Sequence, residues 1–369
     1  MISIAISSII ILYILLILMF WLGWEKAQPC PLADNDEPKV SIVVAVRNEE
    51  ESIADLIDDI SKQNYSSELL ELIIIDDHSE DNTAALIREL TNSTSLNIRF
   101  KSLDKGSGKK DAISAGIELA SNEYILTTDG DCRVPQDWVA SMVRCFVNPE
   151  IQFVSGPVKL YPQDTFFQRL QAIEFSSLIT SGAATLTLGW PTMANAANMA
   201  FRKSTYNEAK VDSKEIASGD DVFLLHSISQ RYKNGYTFCR DENAIVTTSS
   251  SASLQSFYQQ RKRWSGKWQH YNDMPTVLLA AFVFLVNITL LSVPILVFGD
   301  YVSWELAINL FVVKMLFEFW FLREGQKFFK TTFLLHEFII LAIIYPAYVT
   351  IMALAGLIGS YQWKGRSTQ

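Results

Sequence analysis

The chain has 369 residues, which suggests roughly two or three structural units. It is 49% hydrophobic and 12% aromatic, with the apolar excess concentrated at the two ends. A formal charge of −9 argues against a general nucleic-acid binder. The four cysteines, Cys30, Cys132, Cys145 and Cys239, include no CxxC pair, so they read as reduced thiols of a cytosolic domain and not as a disulfide frame or zinc site.

Residues 1–24 carry no charge and are long enough to span a bilayer. They lack the basic start and small-residue cleavage site of a signal peptide, so they are expected to be a retained anchor. "QPCP" around Cys30 is not a convincing lipoprotein site.

An alternating pattern follows. "KVSIVVAV" (39–46) reads as a strand buried on both faces, and 49–63 has helical spacing. "ELIIIDD" (71–77) is a second strand and 80–90 a second helix. "NIRF" (97–100) is a third strand, 108–120 a third helix and "EYILTTD" (123–129) a fourth strand. Strands and helices alternating at this pitch predict a mostly parallel sheet with right-handed crossovers. Ligands of such sheets bind beyond the carboxyl ends of the strands. Asn48 and Glu49 follow the first strand, Asp76 and Asp77 the second, and Asp129 and Asp131 the fourth. One aspartate after a strand is a turn; three such groups on one edge make a pocket. Neither GxGxxG nor a Walker lysine loop is present, so dinucleotide and P-loop readings fall away.

Residues 254–271 place Leu254, Phe257, Tyr258, Arg261, Trp264, Trp268 and Tyr271 at three- and four-residue steps. This is the aromatic, basic stripe of a helix lying at a membrane surface. Three hydrophobic stretches of spanning length follow at 275–299, 301–322 and 332–360, then a tail at 361–369. Pro346 is expected to tilt or kink the last stretch, or to break it into a re-entrant pair. Lys314, Glu318, His336 and Glu337 lie within or near these spans and read as helix–helix contacts more readily than as an ion path. Arg323, Lys327 and Lys330 put the loop before the last stretch in the cytoplasm, which places 25–272 there too and the N-terminus outside. Lys364 and Arg366 would then lie outside, a conflict that a re-entrant last segment removes.

Five segments carry a resemblance. "SIVVAVRNEE", "IIDDHSEDNT", "GKKDAISAGIELASNEYILTTDGD", "SGDDVFLL" and "QQRKRW" occur in the order found in membrane-bound family 2 glycosyltransferases. The chain resembles the chitin-oligosaccharide, cellulose and hyaluronan synthases over roughly residues 39–270 and the flanking spans. The resemblance implies a GT-A fold, the α/β domain of nucleotide-diphosphosugar transferases, flanked by transmembrane helices, and transfer with inversion.

It also implies roles. Asp131 would ligate Mg²⁺ or Mn²⁺, with Asp129 near the ribose or a metal-bound water; both are hard oxygen donors. Asp221 of "SGDDVFLL" would be the general base that deprotonates the acceptor, although Asp220 stands where the family has Glu and a helix N-cap would also explain an Asp there. Gln260, Arg263 and Trp264 match Gln-x-x-Arg-Trp, with Arg263 suited to a diphosphate and Trp264 to a sugar ring. Lys109 matches a Gly-Lys that approaches the nucleotide; a solvated lysine at a helix start is the plain alternative. Asp77, Asn48 and Glu49 would meet base and ribose.

The expectation is an inner-membrane, multi-pass inverting glycosyltransferase with a cytoplasmic catalytic domain. It would use a UDP- or GDP-sugar and a lipid or growing-glycan acceptor, and no nucleic acid. Four spans are few for a secretion channel in a monomer, which leaves an oligomer open. The competing class is a non-catalytic scaffold that keeps the fold for binding.

Overall fold

The computed structural model describes residues 1–31, 37–209, 220–267, 271, 273–357, 361–363 and 366–368. It divides into two compact units, each built from separate stretches of chain.

The α/β unit comprises Ala27–Tyr161, Pro191–Ser249 and the tail. Its strands are β1 (Val40–Val46), β2 (Leu70–Asp76), β3 (Asn97–Ser102), β4 (Tyr124–Asp129), β5 (Phe153–Ser155), β6 (Val158–Tyr161), β7 (Met199–Arg202), β8 (Tyr236–Phe238) and β9 (Val246–Ser249). Seven form one sheet in the order β3-β2-β1-β4-β7-β5-β8, and β6 pairs with β9 apart from it. The first four strands are parallel, and β7 runs antiparallel to both β4 and β5. Helices α2 (Ile53–Ser61), α3 (Thr83–Ser93) and α4 (Lys109–Leu119) are the crossovers, and α5 (Trp138–Val143), α7 (Lys203–Ala209) and α8 (Asp220–Arg231) complete the unit.

The apolar runs of β1, β2 and β4 are buried because helices cover the sheet. At Gly116 of α4 an added Cβ would run into Val43 of β1, so only glycine admits this close helix–sheet approach. At the amino ends of the strands, the buried Glu71 accepts hydrogen bonds from Ser41 Oγ and the Ser121 amide, both at 2.5 Å.

The helical unit contains α1 (Ile2–Lys26), α6 (Phe166–Thr187), α9 (Leu254–Gly266), α10 (Met274–Phe298), α11 (Trp304–Phe329) and α12 (Leu335–Gly356). In the tail, β10 (Tyr361–Trp363) and β11 (Arg366–Thr368) form a two-stranded sheet. Helices α1, α10 and α12 are long and apolar enough to cross a membrane. The 26-residue α11 carries Lys314 and Glu318 midway, where Glu318 accepts from Lys314 Nζ at 2.7 Å and from Tyr13 of α1 at 2.6 Å. Glu337 of α12 is fully buried and paired with Arg169 of α6 at 2.5 Å.

One sequence expectation changes, and two features that the sequence left open are fixed. Helix α6, in a stretch to which the sequence assigned no element, packs with α1, α11 and α12. Residues 335–356 form one helix through Pro346, without the break that a re-entrant pair needs. Cys30 and Cys145 are joined as a disulfide, where four reduced thiols were expected. Sequence alone could not see that pair, because its partners lie 115 residues apart.

Candidate active site at the carboxyl edge of the sheet

The registers pair Val46 with Asp76 and Ala45 with Asp129, so β1, β2 and β4 end level with one another. Beyond that edge the chain takes tight turns. Asn48 (φ 51°) and His78 (φ 57°) sit in the left-handed region, which Asn and His tolerate better than bulkier residues. The turns after β1 and β2 are sewn together. The buried Arg47 donates from Nη1 to the carbonyls of Asp77 (2.9 Å) and His78 (2.7 Å) and from Nη2 to Glu80 (2.9 Å). The Asn48 amide donates to Ser79 Oγ at 3.0 Å, and Asn48 Oδ1 accepts the Glu80 N–H at 2.8 Å. Asn48 is therefore used within the chain, holding the loop.

Asp77 is 1% exposed, and its Oδ2 accepts the Gly108 N–H at 3.0 Å. The turn that brings Gly108 there needs positive φ at Gly106 (83°) and Gly108 (100°). Lys109 opens α4 directly after it, and its ammonium pairs with Asp129 Oδ1. The glycine of "DGD" has a packing reason: a Cβ on Gly130 would meet Glu49 Cγ and Val46 Cγ1, each at 3.0 Å. Its absence lets Glu49 close over the turn between Asp129 and Asp131. The Thr248 hydroxyl of β9 lies 3.5 Å from Asp131 Oδ2. Burial pushes the Cys132 thiol well up, and the charges of Asp129 and Asp131 push it further, so this cysteine is a neutral neighbour of the site.

Asp221, in the first turn of α8, is 9% exposed and accepts the Ala196 N–H at 3.2 Å. The Ala196 carbonyl in turn accepts from Thr127 Oγ1 of β4 at 3.0 Å. Two hydrogen bonds thus link Asp221 to the strand that ends in Asp129. Asn48, Glu49, Asp77, Lys109, Asp129 and Asp131 share one sheet edge, and Asp221 is tied to its middle strand. The Asp220 side chain lies outside the described residues.

Gln260, Arg263 and Trp264 belong to α9 of the helical unit. Trp264 packs on Phe175 with ring centroids 5.8 Å apart, and the Arg261 guanidinium lies 4.2 Å from its ring. Arg261, read as part of a membrane-surface stripe, is instead 3% exposed and paired with Glu174 of α6 at 2.6 Å. Trp268 of that stripe lies outside the described residues. Arg47, Arg261 and Glu174 were not singled out as site residues. A lone arginine directly after a strand was the only signal for Arg47, and its partners come some 30 residues later.

The edge concentrates carboxylates with one lysine among them, a charge pattern suited to a cation and the phosphates it carries. A mostly parallel sheet with this acidic carboxyl edge is a GT-A-type α/β fold. The same fold is found in the mannosyltransferase PcManGT from Pyrobaculum calidifontis, solved with GDP-Man and Mn²⁺, at a TM-score of 0.58 and 17% identity over 96% of each chain. Residues 41–209 match the family described as Glycosyl transferase family 2. Among curated relatives, the poly-beta-1,6-N-acetyl-D-glucosamine synthase of Staphylococcus aureus (strain COL) is 28% identical over 231 residues, 61% of this chain and 53% of that protein. The Staphylococcus epidermidis synthase is 26% identical over 276 residues, 72% of this chain and 61% of the relative. The chain thus spans little more than half the length of these relatives.

Proposed function

We propose that the chain is an inverting glycosyltransferase that moves a sugar from a nucleotide-diphosphosugar to a membrane-associated glycan in cell-envelope polysaccharide synthesis. The observation that carries this is the level acidic edge, Asp77, Asp129 and Asp131 with Lys109, inside the stretch that matches family 2. The relatives are named as synthases of an N-acetylglucosamine polymer, which favours UDP-N-acetylhexosamine as donor and a glycan as acceptor.

Asp129 and Asp131 suit a hard divalent cation: they are two carboxylates one residue apart, and Asp129 already holds a cation, the Lys109 ammonium. Mg²⁺ or Mn²⁺ there, with Asp131 as the principal ligand, would neutralise the departing diphosphate. The remaining work falls to the chain itself. Asp77, Asn48, Glu49 and the 106–108 turn would frame base and ribose, and Lys109 would meet phosphate. Asp221 would take the proton from the acceptor hydroxyl as that oxygen attacks the anomeric carbon and the sugar–phosphate bond breaks. Arg263 would pair with the diphosphate, Gln260 would donate to a ligand oxygen, and Trp264 would pack on a sugar ring. We place the protein in the cell membrane, with α1, α10, α11 and α12 spanning and the α/β unit in the cytoplasm.

The test is a panel of radiolabelled donors, UDP-GlcNAc, UDP-Glc, UDP-Gal and GDP-Man, incubated with membranes holding the full chain. Label should enter a glycan from at least one donor, stop on EDTA treatment and return with Mg²⁺ or Mn²⁺. No incorporation and no metal-dependent donor hydrolysis with any of them would leave the non-catalytic scaffold.

A further inference from the structure

Two residues of α6, one helical turn apart, converge on a single atom of α9. Gln171 exchanges two hydrogen bonds with Ser251, from Nε2 to the Ser251 carbonyl (3.0 Å) and from the Ser251 amide to Oε1 (2.9 Å). The Ser251 hydroxyl then donates to Gln260 Oε1 at 3.4 Å. Glu174 accepts from Arg261 Nη2 at 2.6 Å, and Arg261 donates from Nη1 to the same Gln260 Oε1 at 2.9 Å. Tyr348 of α12 donates to the other oxygen of Glu174 at 3.0 Å. Arginine has only donors, so the Gln260 atom facing it must be the carbonyl oxygen, which fixes the amide orientation. The Gln260 Nε2 donates to nothing among the described residues, and this side chain is half-buried. The ion pair is nearly closed to solvent, at 3% and 5% exposure, and leaves the Arg261 Nε without a partner. An apolar pair would pack α9 on α6 at least as well. What the ion pair adds is direction: it holds Gln260 by its oxygen, and the same guanidinium covers Trp264.

We infer that Glu174, acting through Arg261, is a positioning residue that locks the Gln260 amide with its two N–H donors offered to an oxygen-rich ligand, a sugar hydroxyl or a phosphate oxygen. The inference rests on the proposed glycosyl transfer for its ligand, while the locked geometry stands on the helical unit alone.

The experiment combines donor binding, sugar transfer and hydrogen exchange of the α9 peptide in the full-length protein. Glu174→Gln/Arg261→Gln removes both buried charges together, so it should fold. It should lose transfer by about 10- to 100-fold and exchange faster over residues 254–266, with nucleotide binding kept where the amide faces a sugar hydroxyl and weakened where it faces a phosphate oxygen. Gln260→Glu keeps an acceptor for Arg261 but removes the N–H donors; α9 should stay protected while transfer falls to a similar extent. Unchanged α9 exchange in the double variant would overturn the lock. Full transfer in the double variant or in Gln260→Glu would overturn the positioning role. A wild-type protein that transfers no sugar would instead count against the proposed function, and α9 exchange would still decide the lock.

Discussion

Asp129 and Asp131 share a turn but not an environment. Lys109 pairs with Asp129 and the Thr248 hydroxyl lies 3.5 Å from Asp131, and the family resemblance gives Asp131 the principal metal contact. Asp131→Asn should lower transfer on the order of 10²-fold or more, with the protein still folded in the membrane. Undiminished metal-dependent transfer would remove Asp131 from the metal site. The cysteines give a second prediction. Without reductant, Cys30 and Cys145 should resist alkylation as a disulfide, and mass spectrometry should recover them as one cross-linked peptide. Cys239 is buried, and burial above all pushes its thiol up to about 12. Thiolate is the reactive form, so Cys239 should label slowly near neutral pH and faster as pH rises towards 12. Rapid labelling of Cys30 and Cys145 without reductant would contradict the pairing. At this scale, the sequence made the acids legible because they follow strands. It could not separate Asn48, which holds a loop, from residues that face a ligand, because the partner of Asn48 is a backbone amide 32 residues away.

Strands β1 to β4 were legible because a strand covered on both faces must be an apolar run, and a helix of period 3.6 separates each from the next. Strands β5 to β9 have three or four residues each and leave no such pattern. Helix α6 escaped for another reason. It packs on other helices, and Arg169, Glu174, Ser176 and Thr180 face them as polar side chains that interrupt the apolar pattern. Its start is visible in hindsight as the Thr165–Gln168 capping box. The α4–sheet contact gives a prediction at this scale. Gly116→Val places side-chain atoms where Val43 already packs, and overpacking of this kind costs about 1–3 kcal/mol. The melting temperature of the detergent-solubilised variant should fall; an unchanged value would mean that α4 is not seated as described.

For the whole molecule, the proposed orientation and the proposed site must agree, because a donor supplied from the cytoplasm has to reach the carboxyl edge of the sheet. Single cysteines at Asp300 and at Lys327, in a background lacking reactive thiols, test this. An impermeant thiol reagent should reach position 300 from outside intact cells and position 327 only after permeabilisation. Labelling of both from one side would overturn the arrangement in which α10, α11 and α12 all span. In the proposed mechanism the carboxyl edge of the sheet performs sugar transfer with Asp221 as base. Asp221→Asn keeps the size of the side chain and an oxygen for the Ala196 amide, so folding should survive. The decisive measurement compares nucleotide binding and sugar transfer in wild type, Asp220→Asn and Asp221→Asn. Asp221→Asn should bind nucleotide near the wild-type level and lose transfer by about 10²- to 10⁴-fold, with Asp220→Asn losing less. Normal transfer by Asp221→Asn would exclude Asp221 as the base, and a dead Asp220→Asn beside it would move the base by one residue.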